Sequence, residues 1–160
     1  MRVEQKTILV VDDEPGVIEI LQINLEYEGY RVIGVSQGLD ALEKIRAENP
    51  DLLILDVMMP GMNGWQVLER MGADPKMAQI PVIMLTVLAE DMDVVKGLEK
   101  GAVEFITKPF NLVHLVGAVK LLLENPDRRS QEAHRQRLMA ERKRLMKPLH
   151  DLFPEKHEQN

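Results

Sequence analysis

Five short apolar runs pace this chain, and their spacing limits the fold more than any other feature. Ile8–Val11, Arg31–Val35, Leu52–Leu55, Pro81–Thr86 and Val103–Thr107 each have the length of a strand. Three of them are almost unbroken Val, Ile, Leu and Met, as expected of strands covered on both faces. Between the runs the apolar spacing changes to a helical period. Pro15 suits the first turn of a helix reaching about Glu28, and Gly29 closes it. Residues 38–48 set Leu39, Leu42, Ile45 and Arg46 at spacings of three or four (39 to 42, 42 to 45 and 42 to 46) and end at Asn49-Pro50. Residues 64–71 and 90–100 read as two more helices, the second stopped by Gly101. Asn111 fits as N-cap of a fifth, whose apolar positions 112, 115, 116, 119, 122 and 123 form one stripe.

A strand–helix unit written five times predicts an α/β domain with a parallel sheet, right-handed crossovers and helices on both faces. The 160 residues suit one such domain plus an appendage. The chain has no cysteine, which excludes a disulfide framework and cysteine-ligated zinc. No apolar run approaches the roughly 20 residues of a membrane span. The first run is too short for a signal peptide and meets Asp12-Asp13. A cytoplasmic location is expected.

The net charge of −6 is unevenly distributed. Residues 1–126 carry 11 Lys and Arg against 20 Asp and Glu, whereas residues 127–160 carry 9 against 6. The shift near Asn125-Pro126 divides a main domain, 1–126, from an extension, 127–160. Arg128 to Lys147 reads as a basic helix. Leu138, Leu145, Leu149 and Leu152 give it an apolar stripe, broadened by Met139, Met146 and Phe153. Pro148 is expected to kink or divide this helix. It would be a solvated extension, a helix docked on its own domain or a partner, a short coiled coil, or a basic arm. Positive charge attracts nucleic acid. However, no aromatic residue lies among the basic ones and no recognition-helix pattern is present, so there is no strong nucleic-acid signal. The apolar face is narrow for a membrane surface.

Charge also appears where the strands end. Asp12-Asp13 follows the first, Asp56 the third, Thr86 closes the fourth and Lys108 follows the fifth. In an open parallel sheet these ends share one edge, where ligands bind. Three carboxylates brought together repel and force at least one pKa up. A divalent cation relieves that, and an all-oxygen donor set suits Mg²⁺. A lysine and a hydroxyl beside it suit a phosphoryl group. Taken singly, each residue also fits a turn, a cap or a loop; the set at one edge is what points to chemistry.

The wording "VVDDEP", "LLILDVMMPGMNG", "IMLT" and "ITKPF" resembles the receiver domain of two-component response regulators, over about residues 6–124. Successive spacings of 44 residues from Asp12 to Asp56, 30 from Asp56 to Thr86 and 22 from Thr86 to Lys108 fit as well. The resemblance implies a flavodoxin-like, doubly wound five-stranded sheet in the order 2-1-3-4-5. It implies that Asp56 accepts a phosphoryl group from a sensor histidine kinase or phosphotransfer protein. Asp13 would ligate Mg²⁺ directly, Asp12 through water, and the backbone carbonyl of Met58 would complete the protein's share. Lys108 would pair with the phosphoryl group, its bond to Pro109 being a candidate for the cis form. Thr86 would hydrogen-bond the phosphoryl oxygen, and Phe105 would turn into the space that Thr86 vacates. The output would come from the face of the fourth helix, fifth strand and fifth helix, read by a partner, a second copy or the chain's own tail.

Two positions depart from the family's pattern. Val87 stands where a small residue is usual, which predicts hindered access to an acyl phosphate and slow dephosphorylation. "GAVEF" replaces a commoner acidic pair, so Val103 is expected to add apolar surface near the output face. One alternative reading is the receiver fragment of a longer DNA-binding transcription regulator. Another is a haloacid-dehalogenase-like phosphatase, which needs a second Asp two residues after the nucleophile; Met58 stands there. The first reading is a phosphoacceptor without enzymatic turnover of external substrates.

Overall fold

In a computed structural model the described residues are 4–87, 91–124 and 127–152, without the side chains of 91–93, 128, 130 and 145–152. Five strands, β1 (Thr7–Val11), β2 (Arg31–Val35), β3 (Leu52–Asp56), β4 (Val82–Thr86) and β5 (Glu104–Thr107), form one parallel sheet in the order β2-β1-β3-β4-β5. The helices between them are α1 (Pro15–Tyr27), α2 (Gly38–Glu48), α3 (Gly64–Gly72) and α4 (Asp91–Glu99). Then come α5 (Leu112–Glu124) and α6 (Arg128–Leu152).

Strand side chains alternate between two cores, as the period of two dictates. Leu9, Val11, Leu53, Leu55 and Met84 pack with α2, α3 and α4. Ile8, Val10, Leu52, Ile54, Ile83 and Leu85 pack with α1 and α5. β1, β3 and β4 are buried along their whole length, which explains their nearly unbroken apolar sequence. The helix ends follow local chemistry. Pro15 opens α1, while Asn49 closes α2 in the left-handed region at φ 45°. Asn63 and Gln66 form a reciprocal capping box at the start of α3. Asn111 accepts a hydrogen bond from the His114 backbone N–H at the start of α5.

Two expectations change. The backbone of α6 continues through Pro148 to Leu152, so proline does not divide this helix. The ring removes one N–H donor, and the backbone stays helical across it. Val103 is buried, 8% exposed, in the core beneath α1 and α5, and adds nothing to the surface. Its backbone N–H donates to Val82 O, which turns the side chain inward as the chain enters β5.

α6 packs along α4. Met139 is buried and Leu138 half-buried in the core layer that also holds Val94, Leu98, Ala102 and Phe105. The stripe residues Leu145, Met146, Leu149, Leu152 and Phe153 have side chains outside the described residues.

Candidate functional site

Rigid strands carry the polar residues to one edge of the sheet. Asp12 directly follows β1 and is 1% exposed; Asp56 ends β3 at 3%; Thr86 ends β4, wholly buried. Lys108 directly follows β5, its backbone N–H donating to Thr86 O at 2.8 Å. Asp13 stands exposed at the rim. One carboxylate oxygen from each of Asp12, Asp13 and Asp56 lies within 4.8 Å of the others.

Backbone amides hold two of these carboxylates in place. The Glu14 N–H donates to Asp12 Oδ1 at 2.9 Å, and the Met58 N–H to Asp56 Oδ1 at 3.3 Å. Lys108 Nζ lies 2.7 Å from Asp12 Oδ2, 3.2 Å from Glu14 Oε1 and 3.6 Å from Asp56 Oδ2. The Asp12 contact is an ion pair without the alignment of a directed hydrogen bond. Gly64 lets α3 start directly behind Asp56. A Cβ there would overlap the Asp56 carbonyl oxygen and lie 2.8 Å from Val57 Cα, while the Gly64 N–H donates to Val57 O at 2.9 Å.

Burial makes the carboxylates reluctant to ionise. It pushes Asp56 from 3.8 up to about 7, with Asp12's charge adding to the rise and Lys108 opposing it. Burial also raises Asp12, against the pull of Lys108. For Lys108 burial acts downward, but Asp12 and Asp56 outweigh it and hold the ammonium above its ordinary value. Asp12 and Asp56, both with raised proton affinity and crowded by an oxygen of Asp13, form a site that gains from a second positive charge. The donors are hard oxygens, and Asp13 is open to solvent, so the residues fit a Mg²⁺ ion held partly by water.

The remaining residues surround this centre. Phe105 is buried in this structure, its ring 6.3 Å from that of Trp65 in a stacked pair. α4 comes close to both rings at Gly97. A Cβ there would lie 2.8 Å from Trp65 Cζ3 and 3.5 Å from Phe105 Cε2. Lys100 Nζ lies 5.8 Å from the centre of the Trp65 ring. Val87 is 63% and Met58 54% exposed. The Lys108–Pro109 peptide bond is cis.

Sequence reasoning missed three participants. Glu14, read as part of a helix start, reaches Lys108. Trp65 covers Phe105 from 40 positions away, with no local signal. His134, in the tail, meets Glu104 of β5, with Nε2 and Oε2 2.9 Å apart. Among the described residues, no helix is long and apolar enough to cross a membrane.

Comparison with known proteins agrees with this geometry. The family model described as response regulator receiver domain matches residues 8–120. The chain is 44% identical over 122 residues to the alkaline phosphatase synthesis transcriptional regulatory protein PhoP of Bacillus subtilis, a match covering 76% of this chain and 50% of that protein. It is 42% identical over 119 residues to the DNA-binding response regulator MtrA of Mycolicibacterium smegmatis, covering 74% and 51%. The chain thus spans about half the length of these curated relatives. Among solved structures, the receiver domain of a signal transduction histidine kinase from Syntrophus aciditrophicus superposes with a TM-score of 0.70. It is 41% identical, over 77% of this chain and 93% of that one. The chemotaxis response regulator CheY4 of Vibrio cholerae gives a TM-score of 0.71 at 28% identity, over 75% and 100%. These matches favour a signalling domain over a dehalogenase-type phosphatase. A five-stranded 2-1-3-4-5 sheet with its acidic residues and lysine at one edge, and a family match across most of the chain, identify this protein as a member of the response regulator receiver-domain family.

Proposed function

We propose that Asp56 is a transient phosphoryl carrier charged by a sensor histidine kinase or phosphotransfer protein. In that step Asp56 forms an oxygen–phosphorus bond as the phosphorus–nitrogen bond of a phosphohistidine breaks, and the imidazole leaves. The observation that carries this reading is the meeting of a buried Asp56 with Lys108 Nζ at 3.6 Å and with oxygens of Asp12 and Asp13 within 4.8 Å. Asp12, Asp13, Asp56 and the Met58 carbonyl would hold Mg²⁺. When bound, that ion supplies charge neutralisation to the carboxylates and to the phosphoryl oxygens. Lys108 moves its charge from Asp12 and Glu14 toward the phosphoryl group. Thr86 donates its hydroxyl hydrogen to a phosphoryl oxygen, and Phe105 repacks in response.

Residues 1–126 are then the phosphoacceptor unit and 127–160 an appendage. Signalling is a population shift on the α4–β5–α5 face, read by a protein partner, by a second copy through that face or α6, or by α6 itself. Treatment with acetyl phosphate and Mg²⁺ should add the mass of one phosphoryl group, and Asp56→Asn should abolish the gain. Undiminished labelling of Asp56→Asn would refute the assignment.

A second reading, the receiver part of a longer DNA-binding regulator, is favoured by one observation. PhoP and MtrA are named as regulators of transcription or DNA-binding proteins, and the chain matches about half of each. Sequencing the intact gene downstream of codon 160 decides it. A stop codon there removes this reading, and a DNA-binding domain in frame establishes it.

A further inference from the structure

α6 occupies the face formed by α4 and β5, and its contacts lie on elements next to the site. The Glu104 carboxylate has two partners. Its Oε1 accepts from the Phe105 backbone N–H at 3.1 Å, and its Oε2 meets His134 Nε2 at 2.9 Å. The next residue of α6, Arg135, donates from Nη1 to Leu98 O at 3.0 Å, capping a carbonyl at the C-terminal end of α4. Lys143 Nζ adds a 3.5 Å ion pair to Glu99 Oε1. Met139 and Leu138 enter the same core layer as Phe105 and Leu98. Helix α6 is therefore fixed to the strand that carries Phe105 and leads into Lys108, and to the end of the helix that covers Phe105.

To serve a phosphoryl group, the Lys108 ammonium has to leave Asp12 and Glu14. Lys108 directly follows β5, with its amide tied to Thr86 and its ammonium divided among Asp12, Glu14 and Asp56. Docked α6 pins Glu104, four residues earlier, and so stabilises this divided arrangement. A phosphoryl group on Asp56 competes for Lys108 and favours the other arrangement.

From these contacts we infer that α6 is an intramolecular ligand of the α4–β5 surface. Its docking and the phosphorylation of Asp56 oppose each other, with the Glu104–His134 and Leu98–Arg135 contacts as the latch. The inference rests on the phosphoacceptor reading and adds what that reading leaves open, the identity of the element that covers the output face. Linkage makes the effect reciprocal: a group that releases α6 must bind more tightly when α6 is already loose.

Beryllofluoride with Mg²⁺, a phosphoryl mimic, tests this on the full chain. Fluorine NMR measures occupancy, and hydrogen exchange measures protection of residues 131–144 and of β1 and β3. Saturation should lower protection in α6 and leave β1 and β3 protected. The His134→Ala/Arg135→Ala variant should loosen α6 without the mimic and bind beryllofluoride about 5-fold or more tightly. Bound fluoride with unchanged or increased α6 protection overturns the inference and leaves the phosphoacceptor reading standing. So does unchanged affinity in a variant whose α6 is loose. Should that double variant not fold, Lys143→Ala/Met139→Ser, which weakens the same helix elsewhere, must give the same gain in affinity or the inference fails. Absence of any Asp56-dependent fluoride signal in the parent overturns both.

Discussion

Lys108 Nζ lies 0.9 Å closer to Asp12 than to Asp56, at 2.7 Å against 3.6 Å, so the ammonium is committed first to the carboxylate that would face the metal. The nucleophile thereby keeps a counter-charge within reach without being sealed by it. Both carboxylates are almost wholly buried, and their mutual repulsion is contained by this one side chain and the backbone amides around it.

Removal of that ammonium should therefore destabilise the domain in a pH-dependent way. Breaking a buried pair from one side costs about 3–5 kcal/mol when the survivor stays charged. Asp56 can escape by taking a proton, so Lys108→Ala should lose about 1–3 kcal/mol at pH 8 and less at pH 5. Urea denaturation at the two pH values checks this. Equal losses at both would mean that Lys108 stabilises by packing and not by charge.

The raised proton affinity of Asp56 sets a second expectation. Folded Asp56 titrates near 7 and the unfolded residue near 3.8. Between those values the folded state binds the extra proton, so stability falls as pH rises through the window. The parent protein without divalent cations should lose stability from about pH 4 to pH 7, by about 1–3 kcal/mol from this site. Asp56→Asn removes the titrating group and should flatten the fall. Saturating Mg²⁺ should flatten it too, because the ion binds the ionised form. The same slope in the parent and in Asp56→Asn would assign the fall to other groups.

Gly64 is required by backbone, not by turn conformation. A Cβ at this position meets the carbonyl oxygen of Asp56 and the Cα of Val57, neither of which can rotate away. Gly64→Ala should therefore cost about 1–3 kcal/mol by overpacking. It should also lower the rate of labelling by acetyl phosphate, since relief of the clash moves Asp56. Thermal melts combined with labelling rates check both. A variant with parental stability and rate would show that the α3 start relaxes freely.

Trp65 and Phe105 supply an optical test. Trp65 is the one tryptophan in the chain, and a Cβ at Gly97 would press its ring. Gly97→Ala gains about 1 kcal/mol of helix propensity in α4 and loses part of it by displacing the indole. Its fluorescence emission should shift while the melting temperature stays near that of the parent. An unshifted spectrum would place the added methyl elsewhere.

The parts legible in advance are those whose placement follows from a local sequence pattern or from the topology of a parallel sheet. β1, β3 and β4 announce themselves because strands buried on both faces must be apolar throughout. Asp12, Asp13, Asp56, Thr86 and Lys108 announce themselves because parallel strands end at one edge. Contacts made by packing of distant helices leave no such trace. Trp65 meets Phe105 across α3 and β5, and His134 meets Glu104 across α6 and β5. The stripe on α6 predicted an apolar face but not what it would cover. Val103 misled because its chain position, next to the output strand, says nothing about which side of the sheet the side chain takes. The division expected at Pro148 is absent because a lost donor weakens a helix without obliging it to stop.

Val87 is the position expected to govern how long a phosphorylated Asp56 would last. It follows the buried Thr86 directly and is 63% exposed, with Met58 54% exposed on the chain segment after Asp56. Two apolar side chains in solvent next to an acyl phosphate on Asp56 would obstruct the in-line approach of water and offer it no hydrogen bond. Hydrolysis of the acyl phosphate needs such an approach, roughly opposite the leaving carboxylate. Val87→Ala should therefore shorten the lifetime of the phosphorylated protein several-fold. Val87→Thr, matched in shape but able to bind water, should fall between the two. Loss of the phosphoryl mass followed over time after removal of acetyl phosphate gives all three rates. Identical decay in the parent and in Val87→Ala would show that water reaches the phosphorus by a path this side chain does not guard.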